Sequence, residues 1–114
     1  MTAVVEQTWT SVCALDALQA EAGVAVLLPD TSQVAVFRTF DGALHAVANV
    51  DPFSGAAVLS RGIVGDRGGV AVVASPIYKQ SFDLSTGACL DDPAVSIAVY
   101  PVRVLDDIVQ VGSP

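Results

Sequence analysis

The chain has little of what most catalytic and metal sites are made from. Histidine appears once, at His45, and cysteine twice, at Cys13 and Cys89. The cysteines form no Cys-x-x-Cys pair and have no histidine beside them in sequence, so neither a metal site nor a redox pair is signalled. Two free, buried thiols in a reducing compartment are expected instead. A lone histidine with no cysteine or carboxylate at ligand spacing makes a poor metal centre. His45 falls in "ALHAVA", opposite in strand phase to Leu44 and Ala46, where a partly exposed strand residue is expected. No serine or acid lies at a spacing from it that signals a nucleophilic triad.

Positive charge is also scarce. Five cations, Arg38, Arg61, Arg67, Lys79 and Arg103, are scattered against twelve acids, for a net charge of −7. A phosphate-binding face needs clustered Lys and Arg, so nucleic acid and anionic membrane are disfavoured as partners. Apolar runs are short, "VAVLL" at 24–28 and "VAVVA" at 70–74, against the roughly 20 residues that a spanning helix needs. The opening "MTAVVEQTWT" has no basic start and no long apolar stretch, so it does not read as a signal peptide, and the cytoplasm is the expected compartment. Internal repeats, low-complexity tracts and linkers are absent.

What the sequence does have is β-branched residues between turns. Its 114 residues predict one domain, 1–114, and 53% are apolar, mostly Val and Ala. Strands are predicted at 9–13, 24–28, 33–39, 43–48, 70–75, 96–104 and 108–111, with shorter candidates at "SFDL" and "ACL". Asp41-Gly42 in "FDGAL" predicts a type I′ hairpin turn. Asp106-Asp107 has no glycine to supply positive φ, so a looser turn is expected there. Only "ALDALQAEAG" (14–23) reads as helical, with Gly23 as its stop. Many short strands and one helical turn predict an all-β antiparallel sandwich or barrel. The least regular stretch, 49–69, is rich in glycine and is where function is expected.

Two candidate sites reduce to local structure. "GIVGDRGG" (62–69) invites a phosphate-loop reading, but it lacks a Gly-Lys-Ser/Thr ending and no helix pattern follows. A plain β-connection is expected there. Asp91 and Asp92 precede Pro93 in a turn, where solvated carboxylates are expected rather than an acid–base pair.

Two loops remain: "DPFSGA" at 51–56 and "SPIYK" at 75–79, the second followed by "QSFDLSTGACL". This arrangement resembles the Rieske iron–sulfur domains, in which one loop carries Cys-Pro-His and a second Cys-Pro-x-His. The resemblance implies an all-β Rieske-like fold, an antiparallel sandwich or barrel with a small loop-rich, cluster-type subdomain at about 49–90. Pro52, Gly55, Ala56, Pro76, Phe82, Asp83 and Gly87 match its scaffold. The four ligand positions hold Asp51, Phe53, Ser75 and Tyr78. A Rieske [2Fe–2S] centre needs two thiolates and two imidazoles, so no cluster is expected. Phe53 and Tyr78 are expected to fill the vacated space, while Asp51 and Ser75 bond backbone amides of their own turns.

Over about residues 8–112, "DPFSGAAVLSRGIVGD" and "ASPIYKQSFDLSTGACLDDP" also resemble the small-subunit family of bacterial assimilatory NAD(P)H-dependent nitrite reductases. Asp107 departs from that pattern, at a turn where glycine is common. The resemblance implies a non-catalytic subunit with no cofactor of its own. Its partner would be a large subunit carrying FAD, siroheme and an iron–sulfur cluster, which reduces nitrite to ammonium in nitrate assimilation. The expected docking surface is the loop tip, with Phe53, Arg61, Arg67, Tyr78 and Lys79. The alternatives are a free-standing, cluster-less Rieske-like interaction module, or a degenerate ferredoxin of another oxidoreductase.

Overall fold

Strand β3 (Gln33–Arg38) is apolar on both sides, and the architecture follows from that. Val34, Ala35, Val36 and Phe37 are all completely buried. Alternate residues of a strand face opposite ways, so such a run must be covered on both faces. The computed structural model describes residues 8–113, and residues 1–7 of the opening decapeptide lie outside them. Strands β2 (Gly23–Leu27), β3, β4 (Leu44–Ala48) and β8 (Val99–Tyr100) form an antiparallel sheet in the order β2-β3-β4-β8. A second sheet, β1-β10-β9, joins Trp9–Ala14, Ile108–Gly112 and Val102–Leu105. The third, β5-β6-β7, joins Ile63–Arg67, Val70–Ala74 and Ser81–Asp83.

Each side of β3 owns one core. Val34 and Val36 pack with Leu18, Leu28, Ala46, Val109 and Val111 against the β1-β10-β9 sheet. Ala35 and Phe37 pack with Val47, Leu59, Val73, Phe82 and Leu84 against the third sheet. The fold is therefore all-β and antiparallel as expected.

Several expectations are corrected. Residues 14–23 are not a helix: Leu15–Ala17 make a single 3₁₀ turn, and the chain is extended again at Leu18. A segment that short does not repay helix nucleation, and tertiary contacts claim it instead. Leu18 is buried in the core, its carbonyl accepts from Arg38 Nη1, and the Glu21 amide donates to the Arg38 carbonyl. Gly23 opens β2 rather than closing a helix. A Cβ there would lie 2.5 Å from the Phe37 ring and 2.6 Å from the Ser60 carbonyl oxygen.

Pro101 splits the long strand predicted at 96–104 into β8 and β9, because a proline cannot donate to a ladder. Strand β5 went unpredicted inside the glycine-rich stretch, since only Ile63 and Val64 carry a strand signal there. "GIVGDRGG" is a hairpin, with Gly68 and Gly69 at φ 64° and 88° between the paired Arg67 and Val70. At Thr39–Ala43 only Gly42 has positive φ, 87°, and its amide bonds the Thr39 carbonyl. That is a type I turn with a left-handed glycine after it, not type I′.

The turn at Asp106-Asp107 is tighter than expected. Leu105 pairs directly with Ile108, which leaves a two-residue loop with φ of 51° and 63°. Aspartate tolerates the left-handed region better than most residues, yet still at a cost. Asp107→Gly should raise the unfolding free energy by about 1 kcal/mol, read as a higher midpoint in urea. An unchanged or lower midpoint would show that the turn is not strained.

Candidate functional site

The two loops are built on one plan. In the first, Asp51 Oδ1 accepts from the Phe53 amide at 2.9 Å, and the Asp51 carbonyl accepts from the Gly55 amide at 2.7 Å. The Asp51 amide donates to the Ala56 carbonyl at 2.8 Å, and Gly55 has φ 74°. In the second, Ser75 Oγ accepts from the Ile77 amide at 3.3 Å, and the Ser75 carbonyl accepts from the Lys79 amide at 3.0 Å. The Ser75 amide donates to the Gln80 carbonyl at 2.9 Å, and Lys79 has φ 66°. A short polar residue before a proline thus fastens its own turn in each loop, as expected for these residue types.

What sequence reasoning missed is that the two fastenings are also bonded to each other. Ser75 Oγ donates to Asp51 Oδ2 at 2.5 Å, and both residues are buried, at 1% and 0% exposure. The bond joins positions 24 residues apart, and nothing in either loop alone signals it. Phe53 is half-buried and packs on Phe82, with ring centroids 6.3 Å apart and planes tilted by 45°. Tyr78 does not fill the space between the loops as expected. It is 59% exposed, beside exposed Ile77, Lys79 and Pro76. The second loop needs only a small hydroxyl beneath it, so the ring is free to turn outward.

This donor set does not fit a [2Fe–2S] cluster. Asp51 and Ser75 are engaged in buried hydrogen bonds with each other and with amides. Phe53 has no donor atom, and a phenol is a poor match for iron–sulfur ligation. Among the described residues, no three or more His, Cys, Asp or Glu are placed to hold a metal ion.

The other candidates have the following surroundings. Arg67 Nη1 lies 3.0 Å from Asp91 Oδ1, and Asp91 Oδ2 accepts from the Ser81 amide. The Ser81 amide first, and then Arg67, hold the Asp91 carboxyl below its usual range. Arg67 is therefore paired locally with Asp91. Arg61 is exposed on a second 3₁₀ turn, Leu59–Arg61. Cys89 is buried and Cys13 only half-buried, and both are free thiols. His45, half-buried, lines a cleft of about 700 Å³ between the Thr39–Ala43 turn and the β5–β6 hairpin. Of the carboxylates there, Asp41, Asp66 and Asp83 are each engaged in turn hydrogen bonds. Among the described residues lining it, His45 makes no side-chain hydrogen bond to Thr39, Ser85 or a carboxylate.

Comparison with known proteins agrees with this architecture. The Rieske-like [2Fe-2S] domain family matches residues 8–112. The nitrite reductase (NADH) small subunit of Escherichia coli K12 is 43% identical over 103 residues, covering 90% of this chain and 94% of that one. A crystal structure from Mycobacterium tuberculosis, described as an NADH-dependent nitrite reductase small subunit, superposes with a TM-score of 0.93 at 61% identity. That superposition covers 96% of this chain and 98% of the other. A Klebsiella oxytoca protein named nitrite reductase [NAD(P)H] large subunit is 40% identical over 105 residues, which are 92% of this chain but only 11% of that protein.

Proposed function

The chain belongs to the Rieske-like [2Fe-2S] domain family, with relatives among the small subunits of nitrite reductase, and from that membership we propose a specific role. It is the small, non-catalytic subunit of an assimilatory NAD(P)H-dependent nitrite reductase, and it carries no cluster of its own. Its partner is a large subunit holding FAD, siroheme and an iron–sulfur cluster, where nitrite is reduced to ammonium. The observation that carries this reading is the Asp51–Ser75 bond, which closes the two family loops with short polar side chains in place of metal ligands. The Klebsiella relative, which holds an equivalent segment within a longer large-subunit chain, supports the choice of partner. The two unpaired thiols, Cys13 and Cys89, support a reducing, cytoplasmic location.

In this role the chain moves no proton and binds no substrate. It contributes a rigid tip and a folded scaffold against which the large subunit is positioned.

Two measurements test the reading. Anaerobically purified chain should show iron far below one atom per molecule and no reddish-brown absorption. Co-expressed with a tagged large subunit, it should co-purify. Stoichiometric iron would overturn the cluster-less reading, and failure to co-purify would overturn the subunit assignment.

A further inference from the structure

The twin loops differ at one equivalent position. Gly55 closes the first turn at φ 74°, and Lys79 closes the second at φ 66°. Both amides make the same bond, to the carbonyl of the residue four positions earlier. Glycine enters this region freely, whereas a residue with a Cβ is strained there. Packing does not compensate Lys79: its side chain is exposed and has no hydrogen bond or ion pair among the described residues.

Three of the other four cations behave differently. Arg67 pairs with Asp91, Arg38 Nη1 donates to the Leu18 carbonyl, and Arg103 lies 4.0 Å from the Trp9 ring centroid. Of the five cations on a chain of net charge −7, only Lys79 and Arg61 are without such an internal contact among the described residues. Lys79 also adjoins exposed apolar surface. Pro76, Ile77 at 43% exposure and Tyr78 at 59% share its loop, and exposed Pro52 sits on the loop bonded to it.

We infer that the outer face of the twin loops, Pro52, Pro76, Ile77 and Tyr78 with Lys79, seats on the large subunit, and that the Lys79 ammonium pairs there with a partner carboxylate. Strain held at an exposed position with no local compensation points to a use for the side chain. An exposed tyrosine set in apolar surface has the composition of an interface centre, and Lys79 places a charge at its edge. The inference rests on the subunit assignment above. The occupant follows from the Klebsiella relative, in which an equivalent domain is tethered to the rest of a nitrite reductase. The charge left free on this acidic chain calls for a carboxylate opposite it.

The test is thermal unfolding of full-length Lys79→Gly, Lys79→Glu and Tyr78→Ala, together with their affinity for purified large subunit by calorimetry. Lys79→Gly is expected to melt a few degrees higher and yet to bind about tenfold more weakly. Lys79→Glu should keep the wild-type melting temperature and bind still more weakly. Tyr78→Ala should also lose about tenfold in affinity. If Lys79→Gly gains stability with affinity unchanged, the lysine is a solvated cation and its pairing is overturned. No gain in stability overturns the strain premise. Unchanged affinity for Tyr78→Ala moves the interface off the loops. A wild-type chain that forms no complex overturns the subunit assignment, and this inference with it.

Discussion

Asp51→Ala should lower the free energy of unfolding by about 4 kcal/mol, because two donors lose their acceptor at a site closed to water. The Ser75 hydroxyl and the Phe53 amide both bond this carboxylate, and Asp51 and Ser75 are almost completely buried. Each buried group left unsatisfied costs roughly 1–3 kcal/mol. The effect also propagates, since the carboxylate is the only side-chain bond found between the two loops among the described residues. Asp51→Asn keeps one acceptor and a side chain of the same shape, so a smaller loss of about 1–2 kcal/mol is expected. Ser75→Ala removes only the cross-loop donor and the Ile77 cap. The Asp51→Ala and Ser75→Ala losses should therefore be strongly non-additive in a double-mutant cycle. Urea unfolding of the four chains is the measurement. Additive losses, or a cost for Asp51→Ala below about 1 kcal/mol, would mean that the loops are held by something other than this bond.

Gly87→Ala is expected to cost at least as much, and for a different reason. Gly87 has φ 79°, and an added Cβ would meet the Ile97 carbonyl oxygen at 2.0 Å. Neither backbone is free to retreat. The Gly87 amide donates to the Asp83 carbonyl at 2.8 Å, and the Gly87 carbonyl accepts from the Ile97 amide at 2.8 Å. The substitution therefore combines left-handed strain with a backbone clash, and a loss above about 4 kcal/mol is expected, enough to leave much of a marginally stable domain unfolded. Gly55→Ala is the control. Its φ is similar, 74°, but a Cβ there meets nothing within 4 Å, so only the conformational term of about 1–2 kcal/mol should appear. Circular dichroism and thermal melts of the two variants separate the terms. Equal losses would show that the close approach of Ile97 is not what constrains position 87.

Together these residues describe a tip whose loops are joined by side-chain hydrogen bonding and packing. Its inner layer is a carboxylate, a hydroxyl and a half-buried phenylalanine ring on Phe82. Its outer layer is Pro52, Ile77, Tyr78 and Lys79. The same four family positions are thus divided: Asp51 and Ser75 point inward to hold the loops, Tyr78 turns out, and Phe53 lies between.

Much of this could be read from the sequence. Alternating and continuous β-branched runs located most strands within a residue or two, because strand burial writes itself directly into local pattern. The two prolines, their preceding polar residues and the "SFDLSTG" stretch located both loops and their self-fastened turns, since those bonds span only two to five positions. The absence of cysteine and histidine from those loops is likewise a fact of sequence, and the expectation of no cluster rests on it.

Tertiary structure alone decided the rest. Residues 14–23 have a helical composition, but the burial of Leu18 and the bonds to Arg38 override that weak preference. Strand β5 contains Gly65, is flanked by Gly62, Gly68 and Gly69 and has few strand formers, and pairing with β6 made it a strand. Asp106 and Asp107 take left-handed angles because the Leu105–Ile108 register leaves them no room for a longer turn. Which of the four ligand-position side chains faces inward depended on contacts between loops 24 residues apart. Local propensity reports what a few neighbouring residues prefer, whereas the Asp51–Ser75 bond, the packing of Ile97 on Gly87 and the free charge of Lys79 exist only once distant segments have been brought together.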